Sequence, residues 1–248
     1  MSDKEYSENL YQAIRSEDEA EVDRLLSQNR DLNVLRSSSP YMRMVDFENI
    51  YPLEAACKTS EEMAYKLLDA GADADVVDIY LSGTPLIYAL SANYEGRFRV
   101  ARRLIDEGAD IDHVDDNGRT ALIKAAVVLK NDSDESREEE LELMKYLLKN
   151  CDLDRVMKES ENNPLAEAAR YNNVAVVEYI LDEEIIDIDM TAEGWTPLMR
   201  AVLSGSTDVC RILLERGADT EILSPTKQTA YDLAVEKNNT EIIELFEK

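Results

Sequence analysis

The chain is short of the residues on which most active-site chemistry depends. Its single histidine, His113, and three widely separated cysteines, Cys57, Cys151 and Cys210, supply no group with the spacing of a zinc site. The eight glycines form no phosphate-cradling loop, and neither a Gly-x-Ser-x-Gly elbow nor a Cys-x-x-Cys pair occurs. No apolar run approaches the length of a membrane span. The polar start Met1-Ser2-Asp3-Lys4-Glu5 does not read as a secretory leader. Basic residues are scarce as well, with 27 Lys and Arg against 53 Asp and Glu and a net charge of −26. A field of that sign repels nucleic-acid backbones and anionic lipid and attracts basic partners. The same excess also serves solubility alone. An odd number of cysteines among apolar helical neighbours points to reduced, buried thiols and a cytoplasmic protein.

What the chain has in quantity is repetition. A turn that opens a helix recurs at Pro52-Leu53, Thr84-Pro85-Leu86, Thr120-Ala121-Leu122, Pro164-Leu165, Thr196-Pro197-Leu198 and Thr229-Ala230-Tyr231. The steps between them are 33, 36, 43, 33 and 33 residues. A second signature follows, as in Leu67-Leu68…Gly71-Ala72-Asp73, Leu104-Ile105…Gly108-Ala109-Asp110 and Leu213-Leu214…Gly217-Ala218-Asp219. A fixed period near 33 marks one supersecondary unit stacked many times.

The stretch from Thr191 to Leu223 is the cleanest copy. Thr196 is suited to cap a helix and Pro197 to its first position, where a missing N–H costs nothing. Leu198, Ala201 and Val202 then form one apolar stripe. Gly205 ends that helix. A second carries Val209, Ile212, Leu213 and Leu214, and Gly217 stops it with a left-handed residue.

Helix, short turn, helix and projecting hairpin, with the run Gly194-Trp195-Thr196-Pro197-Leu198-Met199-Arg200-Ala201-Val202, resembles the ankyrin repeat. Met199 stands where that family usually has histidine. The resemblance implies an all-α solenoid of about seven helix-turn-helix repeats with β-hairpin loops. Its expected parts are an N-terminal capping repeat at 1–34 and an enlarged hairpin loop at 35–50. Internal repeats follow at 51–78, 79–114, 115–157, 158–190 and 191–223, and a C-terminal capping repeat at 224–248.

Three irregularities interrupt the period. The first is the stretch Leu35 to Phe47, with two arginines, two methionines and two aromatics, which is either an adaptable contact surface or a cover for the first repeat boundary. Asn93 to Phe98 lengthens an inter-helix turn. Lys130 to Glu140 is too charged for a core and reads as a solvated loop leading into a helix. Its Asp132-x-Asp134-x-Ser136 is not a calcium loop, since Arg137 replaces the required glycine and Leu143 the required glutamate. His113, flanked by acids, reads as a plain hairpin residue rather than a pH sensor.

The resemblance further implies partner binding by hairpin tips and exposed first-helix ends along a concave groove. By motif position these are Phe47, Glu48, Tyr80, Leu81, Asp116, Asn117, Arg119, Glu159, Glu193 and Trp195 at the tips, with Lys58, Arg170, Tyr171 and Leu203 at helix ends. The expected function is a non-enzymatic protein–protein interaction module with no cofactor, acting as a monomer on a partner with a basic surface. The alternative is an acidic inhibitor or immunity-type protein that blocks a basic enzyme such as a nuclease toxin.

Overall fold

The structure is a computed structural model that describes residues 3–33, 51–78, 81–127 and 133–247. Among these the chain is helical and forms no β-strand. It packs as two compact units, residues 1–121 and 122–248.

Unit 1 contains three helix pairs. They are α1 (Asp3–Arg15) with α2 (Glu19–Leu26), α3 (Pro52–Thr59) with α4 (Glu61–Asp69), and α5 (Pro85–Leu90) with α6 (Arg97–Asp106). The first helices pack in series, α1 on α3 and α3 on α5. All but the first residue of α7 (Ala121–Ala125) belongs to unit 2. That unit continues with α8 (Asp134–Asn150), α9 (Leu153–Ser160), α10 (Pro164–Arg170), α11 (Val174–Asp182), α12 (Pro197–Ser204), α13 (Thr207–Glu215), α14 (Ala230–Glu236) and α15 (Thr240–Phe246). There α10 packs on α12 and α12 on α14.

The expected start signals operate as read. Thr84 accepts the Ile87 N–H and Thr196 the Met199 N–H, each with proline next in line. Asn163 does the same for Ala166 at 2.8 Å. The second helices α4, α6 and α13 are followed by Gly71, Gly108 and Gly217 at φ +88°, +99° and +84°. Nothing crowds a Cβ at these three sites, so the backbone angle alone asks for glycine. After α11 a glutamate takes that turn, with Glu184 at φ +51°.

Two expectations about the 43-residue step change. The acidic run is helix from Asp134 onward, capped by Ser133, rather than a loop. Its charge does not keep it out of the core. Glu140 is buried and accepts a hydrogen bond from the Asn173 Nδ2, which also donates to the Ala126 carbonyl. The step also holds an additional helix, α9, capped by Asp152. Cys57 and Cys210 are buried free thiols as expected, whereas Cys151, at the end of α8, is half-buried.

Among the described residues the connections between pairs are tight turns rather than β-ladders; the expected enlarged hairpin at 35–50 lies outside them. One isolated bridge joins Ala192 and Trp195; elsewhere single bonds such as Asp78 N to Gly83 O and Asp115 N to Arg119 O close the loop. The aspartates after each second helix have structural work. Asp73, Asp110, Asp187 and Asp219 each accept the N–H two residues on, forming Asx turns. Side chains then reach to the next repeat: Asn33 accepts from Asp73 N, Asp75 from Asp110 N and Asp189 from Asp219 N, at 2.8–3.0 Å. Part of the acidic excess is therefore consumed as backbone acceptors that register one repeat on the next.

Candidate protein-binding surface

In unit 1 the surface is organised around Tyr88 of α5. Its hydroxyl donates to Asp78 Oδ2, which also accepts from Gly83 N, while Asp78 Oδ1 accepts from Leu81 N. Gly83 must be glycine for space, because a Cβ there would lie 2.6 Å from the Tyr88 ring and hydroxyl and 2.8 Å from Asp78. The ring carries two cations. Lys58 Nζ sits 3.5 Å from its centroid and the Arg119 guanidinium 5.7 Å. Burial pushes the Lys58 amine below its ordinary range, against the pull of Glu54 and Asp78. Burial and the hydrogen bond to Asp78 push the Tyr88 phenol well above its own.

Glu54 lies beneath this cluster and is fully buried. One carboxyl oxygen accepts from Tyr51 N at 2.8 Å; the other, Oε1, has no hydrogen-bond partner. Burial raises its pKa to about 8, with Asp78 adding and the Tyr51 N–H and Lys58 opposing. The group is largely a neutral acid at pH 7.

The next tip is held by Asp115. Its buried side chain accepts from Asn117 N, from Arg119 N and from the Arg119 Nε. Asp116 and Asn117 are left exposed. The two tips are tied together, since Asp116 N donates to Leu81 O at 3.0 Å and His113 Nε2 contacts Ser82 O at 2.5 Å. His113 is thus a strut between tips. Of the expected residues, Lys58, Leu81, Asp116, Asn117 and Arg119 gather here. Lys58, Leu81 and Arg119 are half-buried; Phe47, Glu48 and Tyr80 lie outside the described residues.

In unit 2 Trp195 is half-buried beside Arg200, whose guanidinium lies 5.9 Å from the indole and 3.1 Å from Glu193. Glu193 is exposed at φ +52°. Arg170 and Tyr171, both exposed, stack at 5.4 Å, and the Arg170 carbonyl accepts from Ser206 Oγ. Leu203 is half-buried. Glu159 departs from expectation: it is exposed on α9, paired with Arg155 at 3.1 Å, not on a hairpin tip.

Sequence reading missed Glu54, Asp78, Tyr88 and Asp115. For Glu54 the one signal was an ionisable type where other copies carry Ile87 or Met199, and for Asp78 and Asp115 an acid where another carries Ala192; Tyr88 stands where other copies carry Lys124, Glu167 or Arg200 and gave none. Some carboxylates elsewhere are spent on neighbours. In the open cleft lined by Tyr65, Tyr94 and Glu61, the last pairs with Arg99 at 2.7 Å, and Lys66 is held by Asp23 at 2.8 Å. Among the described residues no group of His, Cys, Asp and Glu is placed to hold a metal ion, and no helix is long and apolar enough to cross a membrane.

Comparison with known proteins gives these features a setting. A family model for ankyrin repeats (three copies) matches residues 53–133 and 135–224. The chain is 29% identical over 179 residues, 68% of its length, to the ankyrin repeat and KH domain-containing protein mask-1 of Caenorhabditis elegans, and spans 7% of that protein. It is 36% identical over 69 residues, 27% of its length, to the human NAD-capped RNA hydrolase NUDT12, spanning 15% of it. Among solved structures, the human ASB11 ankyrin repeat domain superposes with a TM-score of 0.70 over 96% of this chain and 97% of that one, at 22% identity.

Proposed function

Because the chain belongs to the ankyrin repeat family, we propose that it is a non-enzymatic protein-binding module. Its contact residues are the tips and first-helix ends: Leu81, Asp116, Asn117, Arg119 and Lys58 in unit 1, Glu193, Trp195, Arg170, Tyr171 and Leu203 in unit 2, with Phe47, Glu48, Tyr80 and the α9 residue Glu159 as further candidates. The repeat boundaries given above, a monomeric state and a cytoplasmic site belong to the same proposal. One observation carries it. Two unit 1 tips are pre-organised by side chains that are themselves buried: Asp78 holds the Leu81 N–H, and Asp115 holds the turn in which Asp116 and Asn117 face solvent. Little ordering entropy is then lost on binding.

The partner class follows from charge. A net charge of −26, with Asp116 and Glu193 exposed at tips, favours a protein with a basic surface and a fast, salt-sensitive encounter. Capture from native lysate, comparing the wild type with Asp116→Ala/Asn117→Ala/Trp195→Ala and reading by mass spectrometry, tests the assignment. Loss of a basic partner by the variant supports it; equal recovery of every partner removes these residues from the contact surface. An enzyme among the captured proteins whose turnover falls on binding selects the inhibitory form of the same function.

A further inference from the structure

Asn117 is the one asparagine of the chain that a glycine follows. The pairing matters chemically. An asparagine carboxamide is open to attack by the backbone nitrogen of the next residue, and only glycine has no Cβ to shield that nitrogen. The structure sets the pair at the end of a tip, with Asn117 exposed and Gly118 half-buried. It also occupies the attacking nitrogen. Gly118 N donates to Asp115 O at 2.8 Å. The same turn is closed by the Asp115 carboxylate, one oxygen of which accepts from Asn117 N at 2.9 Å and from Arg119 N at 2.8 Å. An amide committed to a carbonyl in a fixed turn is a poor nucleophile, so any reaction waits on local opening. The turn itself does not force a glycine. In the tip before α14, Lys227 takes the corresponding place at φ +64°, beside +68° for Gly118, and its N donates to Ser224 O at 2.9 Å.

We propose that Asn117 is a deamidation site latched by Asp115. When the turn opens, Gly118 N attacks the Asn117 Cγ. The new N–Cγ bond closes a cyclic imide, the Cγ–Nδ2 bond breaks, and Nδ2 leaves as ammonia with the proton of the Gly118 amide. Water then adds to either carbonyl of the imide and gives aspartate or isoaspartate at position 117. Either product sets a second carboxylate beside that of Asp116. Isoaspartate also routes the backbone through an extra methylene, which breaks the spacing of the Asp115 bonds. The consequence for binding rests on the tip surface proposed above. A partner seated on Asp116 and Asn117 would hold the turn shut, so the unbound protein would be modified faster than the bound one.

The test incubates the full chain at mildly alkaline pH, folded and in guanidinium chloride. Trypsin then releases Leu104–Arg119, in which Asn117 is the sole asparagine. A mass gain of about 1 Da in that peptide, divided between two separable isomers, reports the reaction. The gain should be at least about tenfold faster in the unfolded chain than in the folded one. Folded Asp115→Ala, checked by circular dichroism, should move toward the unfolded rate. Gly118→Ala should slow the unfolded rate by about tenfold. No gain in this peptide in either solvent overturns the site. Equal rates in the folded and unfolded wild type, or a folded Asp115→Ala that reacts no faster than the folded wild type, overturn the latch. The readout needs no partner, so it can fail while the tip surface stands, and the tip surface can fail while the modification is seen.

Discussion

The same repeat position is built in two ways in the two units. After the opening Leu, α12 carries Met199, buried among apolar neighbours, and α3 carries Glu54, equally buried but ionisable. Around Met199 the tip is closed by a short bridge and Trp195 rests beside Arg200. Around Glu54 the tip is a network in which Asp78, Tyr88, Lys58 and Arg119 share one ring and three backbone N–H groups are taken up by carboxylates. The fold tolerates both, because stacking needs volume at that position, not a particular chemistry. Unit 1 gains a rigid, charged tip surface. Its stability is tied to one glycine and to pH.

The largest break in this comparison is steric. Gly83→Ala should drive a Cβ into Tyr88 and Asp78 and lower unit 1 stability by about 2–4 kcal/mol, read as a lower urea midpoint for a unit 1 signal. Arg200→Ala, trimming the guanidinium beside Trp195 in unit 2, should cost under about 1 kcal/mol in the same assay.

The next effect is electrostatic. A carboxyl whose folded pKa is about 8 binds more protons folded than unfolded between its ordinary value and pH 8. Its favourable contribution is complete below the ordinary carboxylate range and is lost as pH rises through 8. Glu54→Gln, neutral at every pH, should flatten this dependence and gain on the order of a few kcal/mol over the wild type at pH 9. Thermal unfolding from pH 5 to pH 9 measures it, and parallel curves for the two proteins would contradict the burial argument. Met199→Leu should leave the pH profile of unit 2 unchanged.

Unit 2 has a buried carboxylate in Glu140, and it differs in taking a side-chain donor, the Asn173 amide, where Glu54 takes the Tyr51 backbone N–H. Asn173→Ala would strip that donor, leave the Ala126 carbonyl without it as well, and cost about 1–3 kcal/mol. Chemical denaturation checks this. The smallest change is a gain: Glu184→Gly restores the residue its φ of +51° prefers and should stabilise by roughly 0.5–1 kcal/mol.

How much of this was legible in the sequence depends on whether local chemistry or packing decides. Caps and stops such as Thr84, Thr196 and Gly217 are local, and the helix pairs they bound lie where the repeat period places them. The inter-repeat bonds of Asp75 and Asp189 were visible only as charge, because an acceptor role there depends on where the next repeat puts its N–H. The 43-residue step hid both the helical state of the acidic run and the additional helix α9. Charge density there argued for solvent, yet Glu140 is buried where the Asn173 amide, at the start of α11, donates to it. Glu54 and Tyr88 were hidden for a related reason. A polar type at a position that is apolar in other copies marks Glu54 as unusual but does not tell a tuned, buried acid from a surface one, and Tyr88 stands where other copies are themselves polar. The tip residues were placed by motif position, which locates them on loops but not their degree of burial; Lys58 and Arg119 turn inward onto Tyr88 as much as outward.

The proposed function depends on tip side chains, held in unit 1 by the buried carboxylates of Asp78 and Asp115 and in unit 2 by the Ala192–Trp195 bridge, gripping a basic partner. The affinity of the captured partner, measured by isothermal titration at low and high salt for the wild type and for Asp116→Ala/Asn117→Ala/Trp195→Ala, tests this most directly. The account predicts a wild-type affinity that falls with salt and a variant weaker by at least about tenfold. Equal affinity of the two proteins, unchanged by salt, would contradict it.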